Sequence, residues 1–165
     1  MTTAGQLTYY AGIIAFTLTA VAWDVKSRRI PNWLNVAALA AGIGWHILFG
    51  TMSTLADAGL AFGVGFGTLL ILWLIGGGGA GDVKLMGALA VWLGFRATVW
   101  VIVLSAILIA ILGVTMTVVN GVRSLLGARN SDASKGRRKV PFAVPAAIST
   151  WAVLLLHAVR VATAT

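Results

Sequence analysis

Two of the four acidic residues lie at the ends of long apolar runs, where a buried charge is costly. Together they could act on a peptide bond. Asp24 ends the first long apolar run, and Asp82 follows the third. Because two further runs separate them, both reach the same side of a membrane in either orientation. Two neighbouring carboxylates do not both ionise easily, so one keeps a proton and the other stays charged. Such a pair can activate a water for attack on a peptide carbonyl and protonate the leaving amine, which is the chemistry of an aspartyl protease.

Topology alone leaves other roles open for this pair. Asp24 and Asp82 could cap helices or form an ion-pair network with nearby basic side chains (Lys26, Arg28 and Lys84). They could form the cation or proton site of a small ion-coupled transporter, although such sites favour the midplane over one face. The chain could also be a non-catalytic assembly subunit whose basic fifth loop docks a partner.

The other two Asp residues have simpler explanations. Asp132 lies in a polar, basic segment, where a solvated carboxylate costs little. Asp57 lies at the start of the third apolar run, where a negative charge complements the N-terminus of a helix.

A glycine-rich segment leads into Asp82. Residues 76–82 read GGGGAGD, and glycine permits unusual backbone conformations and the close approach of another chain. The segment suits an extended peptide docking beside the carboxylate. It formally matches GxGxxG, but a dinucleotide site needs a βαβ unit, and a phosphate loop needs a following Gly-Lys-Ser/Thr; neither is present.

The elements that position these residues are membrane helices. The chain is 59% hydrophobic and 10% charged, with a mean hydropathy of +0.97, whereas soluble domains are about 45–50% apolar and about 25% charged. A span needs about 20 apolar residues. We predict an all-α, polytopic membrane helix bundle of about six transmembrane helices in a single domain (1–165), with spans at Leu7–Trp23, Trp33–Phe49, Leu55–Ile75, Val83–Leu93, Ala97–Val119 and about Pro141–Val161.

The fourth predicted span is too short to cross a bilayer. Its 11 residues would rise only about 16 Å as a helix. It either begins inside the glycine-rich segment or sits inside a water-filled groove.

The basic residues predict the orientation. The net charge is +8, and ten of the twelve Lys and Arg residues lie in or beside loops one, three and five, at about 24–32, 76–82 and 120–140. The positive-inside rule places those loops in the cytoplasm and both termini outside. Because the charges flank apolar runs, the lipid bilayer is the expected partner and nucleic acid is not.

Composition also limits the cofactors. The chain has no Cys, which excludes disulfides, Cys-ligated zinc and thiol catalysis. His46 and His157 each stand alone in an apolar run, where interhelical hydrogen bonding is the expected role. We predict no metal and no cofactor.

Two patterns predict how the helices pack. Gly59, Gly63 and Gly67 have the small-xxx-small spacing that lets helices approach closely. Most Trp residues fall near the ends of predicted spans, as in an interfacial belt; they include Trp23, Trp33, Trp45, Trp92 and Trp100.

Three motifs resemble one family over about residues 7–160. Residues 79–82 form a GxGD motif with a Lys two positions on, and residues 24–32 (DVKSRRIPN) look like the first-Asp segment of the type IV prepilin peptidases. Residues 139–145 (KVPFAVP) are similar to the segment that opens the last span of that family. The GxGD motif alone is moderately specific for this family, and the combination of GxGD with the upstream Asp segment is much more specific.

The resemblance implies a function and a set of site residues. Asp24 and Asp82 would be the catalytic pair of a membrane aspartyl protease that cleaves leaders from prepilins or pseudopilins at the cytoplasmic face of the inner membrane. Pilus assembly proteins would be further partners. Gly79 and Gly81 would shape the site, and Lys84 would tune Asp82, orient the substrate or contact lipid headgroups. Pro31 and Asn32 would fix the chain where it enters the second span.

The chain departs from the larger members of this family. Those carry an additional N-terminal cytoplasmic region, often with paired Cys residues, linked to N-methylation of the mature pilin. This sequence opens with a span and has no Cys. It is similar to the short forms that serve tight-adherence (Flp-type) pili, so we expect peptidase activity without methyltransferase activity.

Overall fold

The protein is a bundle of helices. The computed structural model describes residues 3–27, 30–76, 79–125 and 142–163, and these contain helices and no strand. The helices are α1 (Thr3–Ser27), α2 (Asn32–Phe49), α3 (Met52–Leu74), α4 (Ala80–Leu93), α5 (Phe95–Leu125) and α6 (Ala143–Thr163). By length and apolar composition α1, α2, α3 and α5 can each cross a membrane, and α6 contains a shorter apolar stretch. The predicted all-α, polytopic membrane bundle is confirmed.

The short helix α4 lies at the centre of the bundle. It begins at Ala80, inside the glycine-rich segment, and its 14 residues rise about 21 Å. Every residue from Leu85 to Leu93 is buried, and α4 packs against each of the other five described helices. A helix covered by protein need not match the thickness of the lipid. The sequence left open that this helix begins within the glycine-rich segment, and its start at Ala80 confirms this.

The helix boundaries do not coincide with the ends of the apolar runs that predicted them. Helix α1 continues to Ser27, so Asp24 lies inside the helix and not in a loop. Helix α5 continues to Leu125 into the predicted fifth loop. Helix α6 begins at Ala143, and the predicted start at Pro141 lies outside the described residues. An apolar run ends at the first charged residue. The helix can continue past that residue because long charged side chains reach water from a helical backbone.

Trp92 joins the central helix to α1 and α2. Its indole N–H donates to the carbonyl oxygen of Ala38 at 2.8 Å. Its ring lies so close to Gly12 and Gly42 that a Cβ on either glycine would come within 3 Å of a ring atom. Because these two positions are glycine, the largest side chain of α4 fits between two neighbouring helices.

The predicted interfacial belt of tryptophans is only partly right. Trp23, Trp33 and Trp100 are exposed, whereas Trp45 and Trp92 are buried. The Trp45 indole donates to the carbonyl of Gly5 and to the Thr8 hydroxyl, both at 3.2 Å. The prediction was wrong for Trp45 and Trp92 because proximity to the end of an apolar run does not reveal which face of a helix a residue occupies.

Helix α3 packs through a different set of small residues from the predicted one. Its buried residues are Ala58, Ala61, Gly65 and Leu69. A Cβ built on Gly65 would lie 2.8 Å from the Cβ of Ala90. By contrast, a Cβ on each glycine of the predicted triad (Gly59, Gly63, Gly67) would have no described atom within 4 Å. Among the described residues, the triad therefore packs against no other helix, contrary to the prediction.

Because Gly65 is closely packed and Gly63 is not, alanine should have different effects at these two positions of α3. Gly63→Ala and Gly65→Ala gain the same helix propensity, but only the second creates a clash, with Ala90. We expect Gly65→Ala to be less stable than Gly63→Ala by about 1–3 kcal/mol, the usual cost of overpacking. Thermal unfolding of the purified variants in one detergent measures the difference. Equal stabilities would mean that α3 does not pack through the Gly65 face.

Candidate active site

Contacts between helices define the two ends of the bundle. At one end the Lys84 ammonium donates to the Asn32 side-chain oxygen at 2.9 Å, which joins the starts of α2 and α4. Asp24 lies one turn before the end of α1, and α2 begins eight residues later. At the other end the His46 Nε2 lies 2.9 Å from the carbonyl oxygen of Val91, near the ends of α2 and α4. Asp24 and Asp82 therefore lie at the same end, on two helices that pack against each other.

The Asp24 carboxylate is buried at the start of α6. Its side chain is 7% exposed, and its Oδ2 accepts a hydrogen bond from the backbone N–H of Ala143 at 3.0 Å. The first N–H groups of a helix have no partner within the helix and form the positive end of its dipole. The start of α6 thus fixes the Asp24 carboxylate through the backbone.

This contact links two of the motifs in the sequence. Ala143 belongs to the 139–145 segment, of which residues 139–141 lie outside the described residues. Asp24 and Ala143 are 119 residues apart, and sequence reasoning missed their contact because no periodicity or charge pattern pairs a backbone N–H with a distant carboxylate. The signal that was present is the helix start itself, which needs an acceptor.

Asp82 is held by a different backbone group. It is the third residue of α4 and is partly buried, and its Oδ2 accepts from the N–H of Gly79 at 3.0 Å. A Cβ on Gly79 would lie 2.9 Å from that same oxygen. Glycine at position 79 therefore allows the carboxylate to fold back over the start of α4.

Gly81 has the opposite surroundings. A Cβ built there would meet no described atom within 4 Å, although its neighbour Asp82 is partly buried. Among the described residues, this side of the start of α4 is open beside the carboxylate. This open side is where another polypeptide could approach.

The remaining predicted site residues join the starts of α2 and α4. Pro31 is the N-cap of α2, with an extended backbone (φ −63°, ψ 138°) and no side-chain cap. Asn32 follows it, and its side-chain oxygen accepts from the exposed Lys84. Through this contact with Asn32, Lys84 connects the starts of α2 and α4. Its predicted effect on Asp82 or on a substrate stays a prediction.

Comparison with known proteins identifies the family. The model of the type IV leader peptidase family matches residues 11–114, which contain both Asp24 and Asp82. The chain belongs to the type IV leader peptidase family. No solved structure matches it.

Relatives in this family carry a common name. The prepilin leader peptidase/N-methyltransferase of Aeromonas hydrophila is 32% identical over 162 residues, which cover 92% of this chain and 50% of the relative. The protein of that name from Burkholderia pseudomallei (strain 1026b) is 34% identical over 113 residues, which cover 64% of this chain and 36% of the relative. The chain thus spans about half the length of the Aeromonas protein.

Asp57 lies in the segment matched by the family model but at the other end of the bundle. Its Oδ2 accepts from the N–H of Phe95 at 3.0 Å, so it caps α5. The start of its own helix is capped by Thr51 and Thr54. The predicted role as a charge at a helix N-terminus is right in kind, but the helix is α5 and not α3.

Gly94 makes the Asp57 cap possible. Its φ is +75°, a left-handed conformation that side chains rarely adopt. A Cβ at this position would also clash with an Asp57 carboxylate oxygen. The sharp turn between α4 and α5 therefore requires glycine at position 94 for two reasons: the backbone conformation and the lack of space for a side chain.

His46 has the interhelical role that the sequence predicted. It is buried, and its ring bonds the backbone of α4 through Val91. The His157 side chain lies outside the described residues.

Proposed function

We propose that this chain is a membrane aspartyl endopeptidase that removes the leader peptide from type IV prepilin-like precursors. The observation that carries the proposal is the position of Asp24 and Asp82 at one end of the bundle, each held by a backbone N–H. Support comes from the family model, which spans both residues, and from the relatives named as prepilin leader peptidases. No observation favours the ion-coupled transporter.

In this proposal the two carboxyl groups share one proton and divide the chemistry. The ionised group takes a proton from a water molecule, whose oxygen then attacks the carbonyl carbon of the scissile peptide bond. The protonated group gives its proton to the amide nitrogen as the carbon–nitrogen bond breaks. Each group ends in the form in which the other began, so proton exchange restores the pair.

The proposal includes the side of the membrane on which cleavage occurs. Lys26 and Lys84 lie at the end of the bundle that carries Asp24 and Asp82. The positive-inside rule favours the cytoplasmic side of the inner membrane for that end and the outer side for both termini. The substrates would be prepilins or pseudopilins, and pilus assembly proteins are further candidate partners.

Two earlier expectations stay predictions. One is that the chain forms a single peptidase domain over 1–165. The other is that it serves tight-adherence-type pili and lacks methyltransferase activity, although the names of its relatives include N-methyltransferase. Incubation of the mature product with S-adenosylmethionine and the purified protein would test the second.

Purified protein in liposomes tests the proposed function. The substrate is a synthetic precursor with a leader and an apolar N-terminal segment, and mass spectrometry identifies the products. We expect a single cut at the leader junction. Intact precursor in the presence of folded protein would contradict the proposal.

The two glycines of the GxGD motif should affect different kinetic constants. Gly79→Ala places a methyl group against the Asp82 Oδ2, and moving a reacting group by about 1 Å can cost about 10²-fold, so we expect kcat to fall by about 10–100-fold. Gly81→Ala fills part of the open side, so we expect mainly a higher KM. Steady-state cleavage of the precursor measures both constants. A Gly79→Ala variant with the kcat of the parent would show that the position of the Asp82 carboxylate does not limit turnover.

A further inference from the structure

A buried carboxamide in α2 has no hydrogen-bond partner. The Asn35 side chain is 5% exposed, and neither its Oδ1 nor its Nδ2 is hydrogen-bonded to any part of the chain that the structure describes. An unpaired polar group in the interior is costly, and most such groups find a partner. A ligand bound beside the Asn35 carboxamide would supply the missing partner.

The face of α2 that carries Asn35 points toward α1 and α4. Asn35 shares this face with Ala38 and Gly42, three and seven residues further along. Both of those residues contact Trp92 of α4. The same Trp92 ring lies against Gly12 of α1. The face therefore covers the contact between the two helices that carry Asp24 and Asp82.

Asn35 also lies near the end of the bundle where those two residues are found. It is three residues, or about 4.5 Å along the axis, from Asn32, which bonds Lys84 at the start of α4. Ala38 and Trp92 lie further from that end. Asn35 is therefore the buried polar residue of α2 nearest to the end of the bundle that carries the two carboxyl groups.

The chemistry of a carboxamide matches that of a peptide backbone. An Asn side chain presents two N–H donors and a carbonyl acceptor, and an extended peptide presents the complementary N–H and C=O groups. We propose that Asn35 is a substrate-binding residue, whose carboxamide hydrogen-bonds the substrate backbone, directly or through one water, next to the cleaved bond. This inference rests on the proposed peptidase function. It adds a third helix, α2, to a site otherwise built on α1 and α4.

Replacement of the carboxamide by an apolar group of similar branched shape tests the inference. For Asn35→Leu we expect kcat/KM for precursor cleavage to fall about tenfold, the effect of one lost hydrogen bond with its unpaired partner. The loss should appear mainly in KM, because a contact made equally in ground and transition states affects binding alone. The melting temperature should stay equal or rise, because no unpaired carboxamide remains buried.

Thr98→Val is the matched control. The Thr98 hydroxyl is also buried and has no partner among the described residues, but Thr98 lies three residues after Phe95, near the other end of the bundle. We expect Thr98→Val to leave both kinetic constants unchanged and to affect the melting temperature in the same direction. If Asn35→Leu does not accumulate in the membrane, Asn35→Ala removes the carboxamide without added volume and serves in the same comparison.

The outcomes separate this inference from the proposed function. If the parent protein cleaves and the Asn35 variant keeps its KM, the substrate-binding role is overturned and the peptidase function stands. If the variant loses melting temperature and activity together, Asn35 is structural and the inference is again overturned. If the parent protein does not cleave, the proposed function fails, and this inference fails with it.

Discussion

Replacement of Asp24 by Asn is expected to lower kcat for precursor cleavage by about 10²–10⁴-fold, the contribution of a positioned proton-transfer group. The bundle should remain folded. An amide oxygen can still accept the N–H of Ala143, as the Asp24 Oδ2 does, and Asn caps helices about as well as Asp. What the amide cannot do is take up or release a proton at neutral pH. The cleavage rate of the purified variant measures the loss of kcat, and its thermal unfolding shows whether the bundle remains folded.

Asp57→Asn is the matched control for this result. Asp57 caps α5 at the other end of the bundle through the same kind of contact, a carboxylate oxygen accepting a backbone N–H. The substitution therefore makes the same change in charge and hydrogen bonding away from the site. We expect the parent rate. Equal losses in the Asp24 and Asp57 variants would mean that the effect is structural, and a parent rate for Asp24→Asn would remove Asp24 from the chemistry.

Replacement of Asp82 by Asn should have an effect of the same size. The amide oxygen can still accept the N–H of Gly79, so the start of α4 keeps its cap while the site loses its second ionisable group. Asp82→Glu restores the carboxyl group but adds one methylene, which displaces it by more than about 1 Å. A misplacement of this size can cost about 10²-fold, so the Glu variant should also be slow. Cleavage rates of both variants against the parent test this expectation.

The two Asp82 variants distinguish charge from position. If Asp82→Glu cleaved at the parent rate and Asp82→Asn did not, a carboxyl group would be needed but its placement by Gly79 would not matter. If Asp82→Asn cleaved at the parent rate, Asp82 would have no part in proton transfer.

The sequence predicted that Asp24 and Asp82 lie at the same end of the bundle, because counting the spans between them is enough for that. Asp24 and Asp82 are separated by two membrane crossings, whatever the exact helix ends are. The central position of α4 was not predictable in the same way. The 11 residues of its predicted span show only that it is short, and its burial depends on five other helices covering it.

Side-chain partners could not be predicted because they depend on the rotation of each helix. Gly63 and Gly65 are both glycines in one apolar run, but only Gly65 faces α4. Likewise Trp45 and Trp92 have the sequence surroundings of interfacial residues and are buried. Asn35 left a weak signal, a polar residue in an apolar run on the face of Ala38 and Gly42, and sequence reasoning missed it.

The central claim is that Asp24 and Asp82 act as one catalytic unit. The direct test is the single-turnover cleavage rate of the double variant Asp24→Asn/Asp82→Asn beside those of the two single variants. Residues that act as a unit have strongly non-additive effects, so the double variant should cleave no more slowly than the slower single variant. A rate reduced by the product of the two single effects would show that the two carboxyl groups act independently, and would contradict the account.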